Sequence, residues 1–430
     1  PLLFLYLSRL FSKYKSKGDK KLEDLLLDVL KENQGKNETL FESSTMNICY
    51  KTGIAPLDYA LGYSVNVHNE EGDVVDTYPS LGITCGTNLM SIGKSSTAKT
   101  SLLLFLAANI VRPFKNGTII HCDLEQAMTI SRAKIMTRFS IEEMKHKYLL
   151  KQSDTSVEGI KKLITKLWKE KRDNPDKYMY DTGKKNEFGE EIILYEPTVV
   201  LIDSIPSMSV GLNPNDKSEL KKIEEVSTQT DRMRLTGEIG RFYTDLLPYL
   251  KEVNIIVMSI NHIKVNPQMG IVKTPAELLY LKQDEALPGG KAPVYLAHIL
   301  LKSVAVGSEK FNLEEHGFDG FGINLEIIKS RSNQAGQTVK LIYDKVRGID
   351  PIRTCIAYAK DMGLTGGNKN AFYFVGHEDK KFPLRTVNEF FRDNREMYKI
   401  MYDTILPSLK QRLSSVDEST LEVSEEIMDY

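Results

Sequence analysis

The sequence predicts an α/β fold built on a twisted, mostly parallel sheet. Three continuous apolar runs of strand length, Thr118 to Asp123, Thr198 to Ser204 and Ile255 to His262, are separated by segments with helical patterns. Continuous rather than alternating apolar runs are typical of parallel strands that are buried on both faces. Strands that alternate with helices in this way predict right-handed crossovers and a functional site at the carboxyl ends of the strands.

The composition is that of a soluble globular protein with room for roughly two or three domains. Of the 430 residues, 41% are hydrophobic and 27% are charged, and the formal net charge is -1. This near-neutral balance excludes a chain that binds nucleic acid through a basic charge over its whole surface, so any such site must be local. The cysteines form no C-x-x-C pair and indicate reduced thiols in a cytoplasmic protein. They are Cys49, Cys85, Cys122 and Cys355.

The N-terminal segment, residues 1–45, predicts a small helical unit. Its first eleven residues are apolar, but they are too few to span a bilayer, follow no basic region and show no cleavage pattern of small residues. We therefore expect no membrane association. Apolar residues recur at helical spacing from Leu22 to Leu30 and define one face of a helix. This unit is expected to pack on its own core or to dock on a neighbouring subunit.

The loop Gly93 to Thr100, G-K-S-S-T-A-K-T, has the sequence and the context of a phosphate-binding loop. It follows the strand candidate Asn88 to Ile92 and precedes the apolar helix candidate Leu102 to Ala108. In such a loop the backbone amides bind phosphate oxygens, Lys99 reaches the outer phosphates and Thr100 is a ligand for Mg²⁺.

One position departs from the pattern G-x-x-x-x-G-K-[ST], because Ala98 stands where the pattern has glycine. The alternative is a serine- and lysine-rich loop that happens to contain Lys-Thr. On the first interpretation, the residues that contact the nucleotide are Gly93, Lys94, Ser95, Ser96, Thr97, Ala98, Lys99, Thr100, Ser101 and Asp203.

Polar residues close the apolar runs. If the strands are parallel, these residues meet at the edge of the sheet that holds the phosphate loop. Asp203 is suited to hold Mg²⁺ together with Thr100, because Mg²⁺ prefers one or two carboxylates plus phosphates and water. Glu125 is suited to orient and polarise an attacking water molecule in phosphoryl transfer. The alternative for each acid is a helix cap or a surface carboxylate.

His262 closes the third apolar run. A histidine in this position is often only a hydrogen-bonded core residue. Beside the outermost phosphate of a nucleotide, it could instead report the state of the nucleotide to the loop that follows.

Two long loops are candidates for DNA binding, since basic loops with aromatic residues suit contacts to a single strand. The first runs from Ser207 to Thr230 and the second from Lys264 to Pro288. Solvated loops without a ligand are the alternative. The candidate DNA contacts are Lys217, Lys221, Lys222, Lys264, Lys273, Tyr280 and Lys282.

Two cations end a further strand candidate. Lys329 and Arg331 alternate along an extended segment, so both are expected on one face. They could neutralise transition-state charge on a nucleotide held by the next subunit. The alternative is a solvated, charged edge.

Three further segments complete the chain. Val65 to Tyr78 predicts an inserted loop or hairpin, and a helix is expected from Ile160 to Trp168, capped within Asp154 to Ser156. The charged segment Lys169 to Glu190 predicts a surface excursion. Residues 416–430 carry six acids and no base, which predicts a solubilising tail or one that competes with DNA for the basic loops.

These motifs, taken in order, resemble the RecA family of strand-exchange recombinases, most closely its phage branch of the UvsX type. The resemblance covers about residues 45 to 405. The matching segments are T-G-I-A-P-L-D-Y-A-L-G, G-K-S-S-T-A-K-T, D-L-E, V-V-L-I-D-S, S-I-N-H, P-G-G-K-A-P-V-Y-L-A, K-S-R, G-I-D-P, A-K-D-M-G-L, A-F-Y-F and F-F-R-D-N-R-E-M.

The resemblance implies a RecA-type P-loop ATPase core over residues 46–351, a small α+β domain over 352–415 and an acidic tail. It also implies ATP and Mg²⁺ as cofactors, and Glu125, Lys99, Lys329, Arg331 and His262 as catalytic residues. The implied partners are single-stranded and double-stranded DNA, further copies of the chain in a helical filament, and single-strand-binding and mediator proteins. The implied location is the cytoplasm, that of the host cell if a phage encodes the chain.

Two other interpretations stay open. A ring-shaped helicase of the DnaB type has the same core and also uses a basic K-x-R-x-N turn, but usually has Tyr where this chain has Ser204 and lacks the C-terminal segment. A recombination mediator that senses ATP without hydrolysing it is the second alternative.

Overall fold

The central feature of the computed structural model is a mixed sheet of nine strands. The structure describes residues 48–69, 71–209, 229–265 and 278–413. Its strands are β1 Cys49–Tyr50, β2 Tyr63–His68, β3 Val74–Ser80, β4 Ile83–Thr84, β5 Asn88–Gly93, β6 Thr118–Asp123, β7 Tyr148–Lys151, β8 Met179–Lys185, β9 Glu191–Tyr195, β10 Thr198–Asp203, β11 Ile255–His262, β12 Lys264–Val265, β13 Glu285–Ala286, β14 Ile299–Phe311, β15 Gly320–Lys329, β16 Thr338–Asp344, β17 Gly348–Ile349, β18 Thr365–Asn368 and β19 Ala371–Phe374.

The α-helices of the described residues lie between these strands and at the C-terminal side. They are α1 Ala55–Leu61, α2 Lys99–Val111, α3 Ile130–Thr137, α4 Ile141–Lys147, α5 Val157–Asp173, α6 Pro175–Tyr178, α7 Gln229–Glu252, α8 Ala292–Leu296, α9 Leu313–His316, α10 Pro351–Asp361, α11 Val387–Asp393 and α12 Glu396–Lys410.

The strand order in the large sheet is β17-β16-β15-β14-β5-β11-β10-β6-β7. Neighbouring strands from β14 to β7 are all parallel, whereas β15, β16 and β17 are added in antiparallel pairs. Every residue of β5 and β10 is buried. The prediction of an α/β fold with a mostly parallel sheet is therefore confirmed, and the continuous apolar runs are its parallel strands.

Both faces of the sheet are covered by apolar clusters, because successive strand residues point to opposite sides. Leu89 belongs to one cluster and Met90 to the other, and Val199 and Val200 divide in the same way. The helix α2 packs in the first cluster and is buried along nearly its whole length. The helix predicted after the loop Gly93 to Thr100 is therefore confirmed.

The segment Val65 to Tyr78 forms a hairpin, β2 and β3, as one of the two predicted forms. The hairpin packs against a second hairpin, β8 and β9. The Tyr78 hydroxyl donates a hydrogen bond to the Lys185 carbonyl oxygen at 2.7 Å, and Lys184 Nζ lies 4.4 Å from the centre of the Tyr78 ring. Two insertions that are distant in sequence therefore form one continuous surface.

The expectation of a surface excursion from Lys169 to Glu190 is wrong at its beginning. Helix α5 continues to Asp173, and Lys171 is almost fully buried. Its Nζ donates hydrogen bonds to the carbonyl oxygens of Glu196 at 2.6 Å and Val253 at 3.0 Å. Burial lowers the pKa of Lys171 to about 7. Lys171 lies within a charged stretch of sequence, and its hydrogen-bond acceptors are backbone carbonyls that are distant in sequence. Its burial therefore could not be predicted from the neighbouring residues.

The start of α5 agrees better with the sequence. Ser156, within the predicted cap segment, accepts a hydrogen bond from the Gly159 amide at 3.1 Å. The helix is longer at both ends than the predicted Ile160 to Trp168.

The C-terminal helices α10, α11 and α12 and the hairpin of β18 and β19 enclose a third apolar cluster. It contains several aromatic rings, and Phe382 contacts both Phe374 and Phe391 at centroid distances of 5.4 Å. Tyr59 of α1 joins this cluster, and its hydroxyl lies 2.9 Å from that of Tyr402.

Several predictions fall outside the described residues. These are the N-terminal unit 1–45, the acidic tail 416–430, and the candidate DNA contacts Lys217, Lys221, Lys222 and Lys273. Within the described ranges, no helix has the length and apolar character needed to cross a membrane. The four cysteines are free thiols, as expected.

Candidate functional site

The polar residues that close the apolar runs meet at one edge of the parallel sheet. Asp203 at the end of β10 pairs with Asp123 at the end of β6, and His262 at the end of β11 pairs with Gly93 at the end of β5. Parallel strands place their carboxyl ends on the same edge. The prediction that these polar ends lie together is therefore confirmed.

Gly93 is required by a close approach of the backbone. A Cβ atom at this position would lie 2.6 Å from the Ser303 carbonyl oxygen and 2.9 Å from Thr97 Oγ1. Real Cβ atoms are essentially never found that close to a neighbour, so only glycine lets the loop leave β5 beside β14.

Ala98 stands at the start of α2 with left-handed backbone angles, φ 57° and ψ 24°. This conformation is natural for glycine and costs an alanine roughly 1–2 kcal/mol. Ala98 therefore adopts the left-handed backbone conformation that suits the glycine of the pattern, and it is strained in that conformation. Ser96 is also left-handed, with φ 63°.

Lys99 points back into the loop that it follows. Its Nζ donates hydrogen bonds to the carbonyl oxygens of Gly93 at 3.1 Å and Lys94 at 2.6 Å. Burial lowers the pKa of Lys99 to about 8, while Asp203 and Glu125 oppose that shift. The ammonium group lies where the loop closes, within reach of an anion bound by the loop amides.

Thr100 and Asp203 form a direct contact between the loop helix and the strand end. The Thr100 hydroxyl donates a hydrogen bond to Asp203 Oδ2 at 2.8 Å. A hydroxyl and a carboxylate are the protein ligands that Mg²⁺ uses beside phosphate oxygens and water, so this pair fits a Mg²⁺ bound with a nucleotide. The described residues contain no group of three or more His, Cys, Asp or Glu arranged to hold a metal ion alone.

Glu125 extends beyond β6 and is exposed to the site. Its Oε1 accepts a hydrogen bond from Ser204 Oγ at 2.7 Å and lies 3.4 Å from His262 Nε2. Burial and the charge of Lys99 lower the pKa of His262, although Glu125 opposes the shift. A neutral imidazole and a hydroxyl therefore hold this carboxylate at the edge of the site.

Asp123 has a structural role at the same edge. It accepts hydrogen bonds from the Met128 amide at 2.9 Å and Gln152 Nε2 at 2.8 Å. Burial alone would raise the pKa of Asp123, but these hydrogen bonds hold it below its ordinary value. Asp123 thus closes the turn that carries Glu125.

The loop residues Ser95 to Ser101, together with Glu125 and His262, line a pocket of about 360 Å³. Three of its lining residues were not foreseen from the sequence, namely Arg132, Phe321 and Tyr343. The two rings lie 5.0 Å apart on paired strands β15 and β16. No local motif marks them, because only the pairing of these strands brings the rings beside the loop.

A larger groove of about 680 Å³ lies between α5 and α7. It is lined by lysines and acids, some of them paired, such as Lys161 with Asp245 at 2.5 Å. This groove contains none of the polar residues at the strand ends. We therefore place the candidate site in the smaller pocket, because its lining residues include Lys99, Thr100 and Glu125.

Lys329 and Arg331 are not in the pocket of their own chain. Lys329 pairs with Leu300, which pairs with Met90, whereas Gly93 lies three residues farther along β5. Lys329 is therefore displaced from the loop by roughly 10 Å along the strands and roughly 10 Å across them. Arg331 continues in the direction away from Gly93.

The two cations are nevertheless close to each other, since burial and the charge of Arg331 lower the pKa of Lys329. Lys329 Nζ donates a hydrogen bond to the Tyr295 carbonyl oxygen at 2.6 Å. Burial and the positive charges of Arg331, Lys251 and Lys329 lower the pKa of His298 to about 4. Both cations thus lie near His298, and Arg331 is exposed.

The described part of the second candidate DNA loop forms a small base of two short strands, β12 and β13. Lys264 and Lys282 are exposed there. Tyr280 packs partly buried against the second apolar cluster, and its carbonyl oxygen accepts a hydrogen bond from Lys302 Nζ at 2.9 Å. The Tyr280 ring therefore packs against the apolar core at the base of the loop.

This loop base is joined to the loop Gly93 to Thr100 by an ion pair. Lys94 Nζ lies 3.5 Å from Oε1 of Glu285, a buried carboxylate on β13. The other oxygen of Glu285 accepts a hydrogen bond from the Lys282 amide at 3.0 Å. Lys94 is thus in direct contact with the base of the candidate DNA loop.

Comparisons with known proteins add no relative to this picture: no protein-family model matches the chain, and a search of curated proteins finds no match.

Proposed function

We propose that the chain is an ATP-dependent DNA recombinase of the RecA type, which forms filaments on single-stranded DNA and catalyses homologous pairing and strand exchange. The observation that carries the proposal is the convergence of Lys99, the Thr100–Asp203 pair and Glu125 on one strand edge. The sequence resemblance and the separate location of Lys329 and Arg331 support it.

The phosphate loop binds the triphosphate through its backbone amides and the N-terminus of α2. Lys99 exchanges its two carbonyl acceptors for phosphate oxygens when the nucleotide enters. Thr100 and Asp203 would hold Mg²⁺. At this position Mg²⁺ would supply positive charge that offsets the negative charge developing in phosphoryl transfer. The rings of Phe321 and Tyr343 offer an apolar wall at the mouth of the same pocket.

Glu125 orients the attacking water molecule. Its position is set by the hydrogen bond from Ser204 and by the nearby imidazole of His262. Positioning and charge supply most of the catalysis in phosphoryl transfer. This chain therefore contributes a fixed carboxylate at the point where water must be held.

Lys329 and Arg331 lie away from the phosphate loop of their own chain, so they do not complete the nucleotide site of that chain. A neighbouring copy would supply them, and the site would be complete only at an interface between copies. Head-to-tail interfaces of this kind produce rings or open helical filaments. Nucleotide binding would then favour assembly, and hydrolysis would favour release.

We assign the contact to DNA to the two candidate loops, which follow β10 and β11 in the sequence. His262 precedes the second loop directly, and Lys94 contacts its base through Glu285. Through these residues, nucleotide binding would alter the position of the DNA-binding loop. Double-stranded DNA, single-strand-binding proteins and mediators are partners of the proposed reaction.

The test is ATP hydrolysis with and without single-stranded DNA. Hydrolysis should be stimulated by DNA, and Glu125→Gln should bind ATP but hydrolyse it about 10²- to 10⁴-fold more slowly. Glu142→Gln makes the same chemical change on an exposed helix and should match the wild type. A wild-type chain that binds ATP and never hydrolyses it would favour the mediator.

A further inference from the structure

His121 is a buried histidine that none of the roles described above uses. It lies on β6, and its side chain is fully buried. Its Nδ1 lies 2.8 Å from the Tyr148 hydroxyl on the neighbouring strand β7. Its Nε2 has no hydrogen-bond partner among the described residues, yet it lies 3.8 Å from Oδ2 of Asp203. A buried polar atom without a partner costs free energy, so this placement needs a physical reason.

The strand register explains how the imidazole comes to lie behind the site. His121 pairs with Leu201, and Asp203 follows two residues later on β10. Residues two apart on a strand point to the same face. His121 and Asp203 therefore share one face of the sheet, with the carboxylate nearer to the edge where the phosphate loop lies.

The imidazole hydrogen is assigned from its neighbours. If the Tyr148 hydroxyl donates to Nδ1, the ring carries its hydrogen on Nε2. The Nε2–H group then faces the Asp203 carboxylate, which is an attractive arrangement. The other tautomer would place a nitrogen lone pair against a carboxylate oxygen, which is repulsive. We therefore assign the hydrogen to Nε2.

We propose that His121 is a positioning residue for Asp203, with Tyr148 holding its imidazole in the required tautomer. The inference rests on the proposed function, in which Asp203 holds Mg²⁺ with a nucleotide. The His121 Nε2–H group and the Thr100 hydroxyl approach the same oxygen, Oδ2. The carboxylate thus accepts a hydrogen bond from the loop helix and has an electrostatic contact at 3.8 Å from the interior, and both favour the same orientation.

Groups that orient a metal ligand typically change metal affinity or activity about 10- to 100-fold when they are removed. For this chain the effect should appear in Mg²⁺ affinity and not in the affinity for the nucleotide itself. A residue that only stabilises the core would not separate these two quantities.

The experiment is a Mg²⁺ titration of the full chain bound to a fluorescent ADP analogue, which reports equilibrium binding without turnover. His121→Phe keeps a ring of similar shape and removes the donor, and it should weaken Mg²⁺ binding about 10- to 100-fold. His121→Gln restores a donor at a similar distance and should recover part of the loss. Binding of the analogue in EDTA should stay within about twofold of the wild type.

Tyr148→Phe is a milder second variant, because it removes only the hydroxyl that fixes the tautomer. It should also weaken Mg²⁺ binding, by less than His121→Phe. Ile120→Val alters the next residue of β6, whose side chain belongs to the cluster on the opposite face. It should leave Mg²⁺ binding unchanged, which separates positioning from general loss of stability.

The outcomes distinguish the inference from the function on which it rests. If the wild type shows Mg²⁺-dependent nucleotide binding and both His121→Phe and Tyr148→Phe match it, the positioning role is wrong and the proposed function stands. If Ile120→Val weakens Mg²⁺ binding as much as they do, the positioning role is also wrong. If the wild type shows no Mg²⁺-dependent binding, the function and the inference both fall.

Discussion

The Thr100 hydroxyl donates a hydrogen bond to the Asp203 carboxylate at 2.8 Å, although 103 residues separate the two in sequence. The contact joins the first turn of α2 to the end of β10. It exists because α2 begins and β10 ends at the same edge of the parallel sheet. Two ligands that Mg²⁺ prefers are therefore already adjacent in the folded chain, which lowers the cost of organising the site.

Thr100→Val replaces this hydroxyl by a methyl group of similar size. We expect kcat for ATP hydrolysis to fall at least about 10²-fold, because Mg²⁺ loses a ligand and Asp203 loses a donor. Thr100→Ser keeps the hydroxyl and should retain most of the activity. Steady-state hydrolysis at saturating Mg²⁺ measures both. Equal activity of the valine and serine variants would exclude a role for the hydroxyl.

A site shared between copies predicts complementation in mixed assemblies. Arg331→Ala should lower hydrolysis about 10³-fold or more, as loss of an arginine finger does, and the exposed position should leave the fold intact. Glu125→Gln should be inactive for a different reason, because its water is not oriented. When equal amounts are mixed, roughly a quarter of the head-to-tail interfaces combine an intact Glu125 with an intact Arg331.

The mixture should therefore regain activity that neither variant has alone. Lys380→Ala removes an exposed cation elsewhere and should behave as the wild type. A mixture as inactive as its components would show that each chain completes its own site or that Arg331 has no part in it.

Ala98 predicts a stabilising glycine substitution. Its left-handed φ of 57° disfavours alanine, so Ala98→Gly should raise the free energy of unfolding by about 1 kcal/mol. Ala357→Gly makes the same change inside helix α10 and should lower that free energy by about 1 kcal/mol. Chemical denaturation measures both. The same sign for the two variants would show that the loop does not hold Ala98 in this conformation.

Asp58 on α1 predicts a pH dependence of stability. It is buried and accepts hydrogen bonds from the Thr52 amide and hydroxyl, both at 2.6 Å, yet burial raises the pKa of Asp58 to about 7. The folded chain then binds a proton more tightly than the unfolded chain does. Its contribution to stability is full below the ordinary carboxyl pKa and is lost as the pH rises through about 7.

Asp58→Asn resembles the protonated form and does not titrate. The difference in unfolding free energy between the variant and the wild type should therefore grow from pH 4 to pH 7 in favour of the variant, by up to about 4 kcal/mol. Denaturation midpoints across this range measure it. A difference that does not change with pH would mean that the buried carboxyl keeps its ordinary pKa.

Patterns confined to one segment allowed the sheet and the loop to be predicted from the sequence. The apolar runs at β6, β10 and β11 are buried on both faces, and such strands have a signature that is independent of their neighbours. Gly93, Lys99 and Thr100 lie within eight residues of one another, so their spacing alone indicates a phosphate loop.

Residues whose roles depend on distant partners could not be predicted. Phe321 and Tyr343 reach the pocket only through the pairing of β15 with β16. His121 looks like one residue of an apolar run until the register of β6 and β10 places it behind Asp203. Lys171 is hidden in a charged run because its acceptors are backbone carbonyls.

The most direct test of the central claim is electron microscopy of the full chain with single-stranded DNA, Mg²⁺ and a non-hydrolysable ATP analogue. A nucleotide site completed by Lys329 and Arg331 of the next copy predicts open helical filaments that form only when both nucleotide and DNA are present. Arg331→Ala should shorten or abolish them. Closed hexameric rings would contradict the recombinase and favour the helicase, and a chain that stays monomeric under these conditions would contradict the shared site itself.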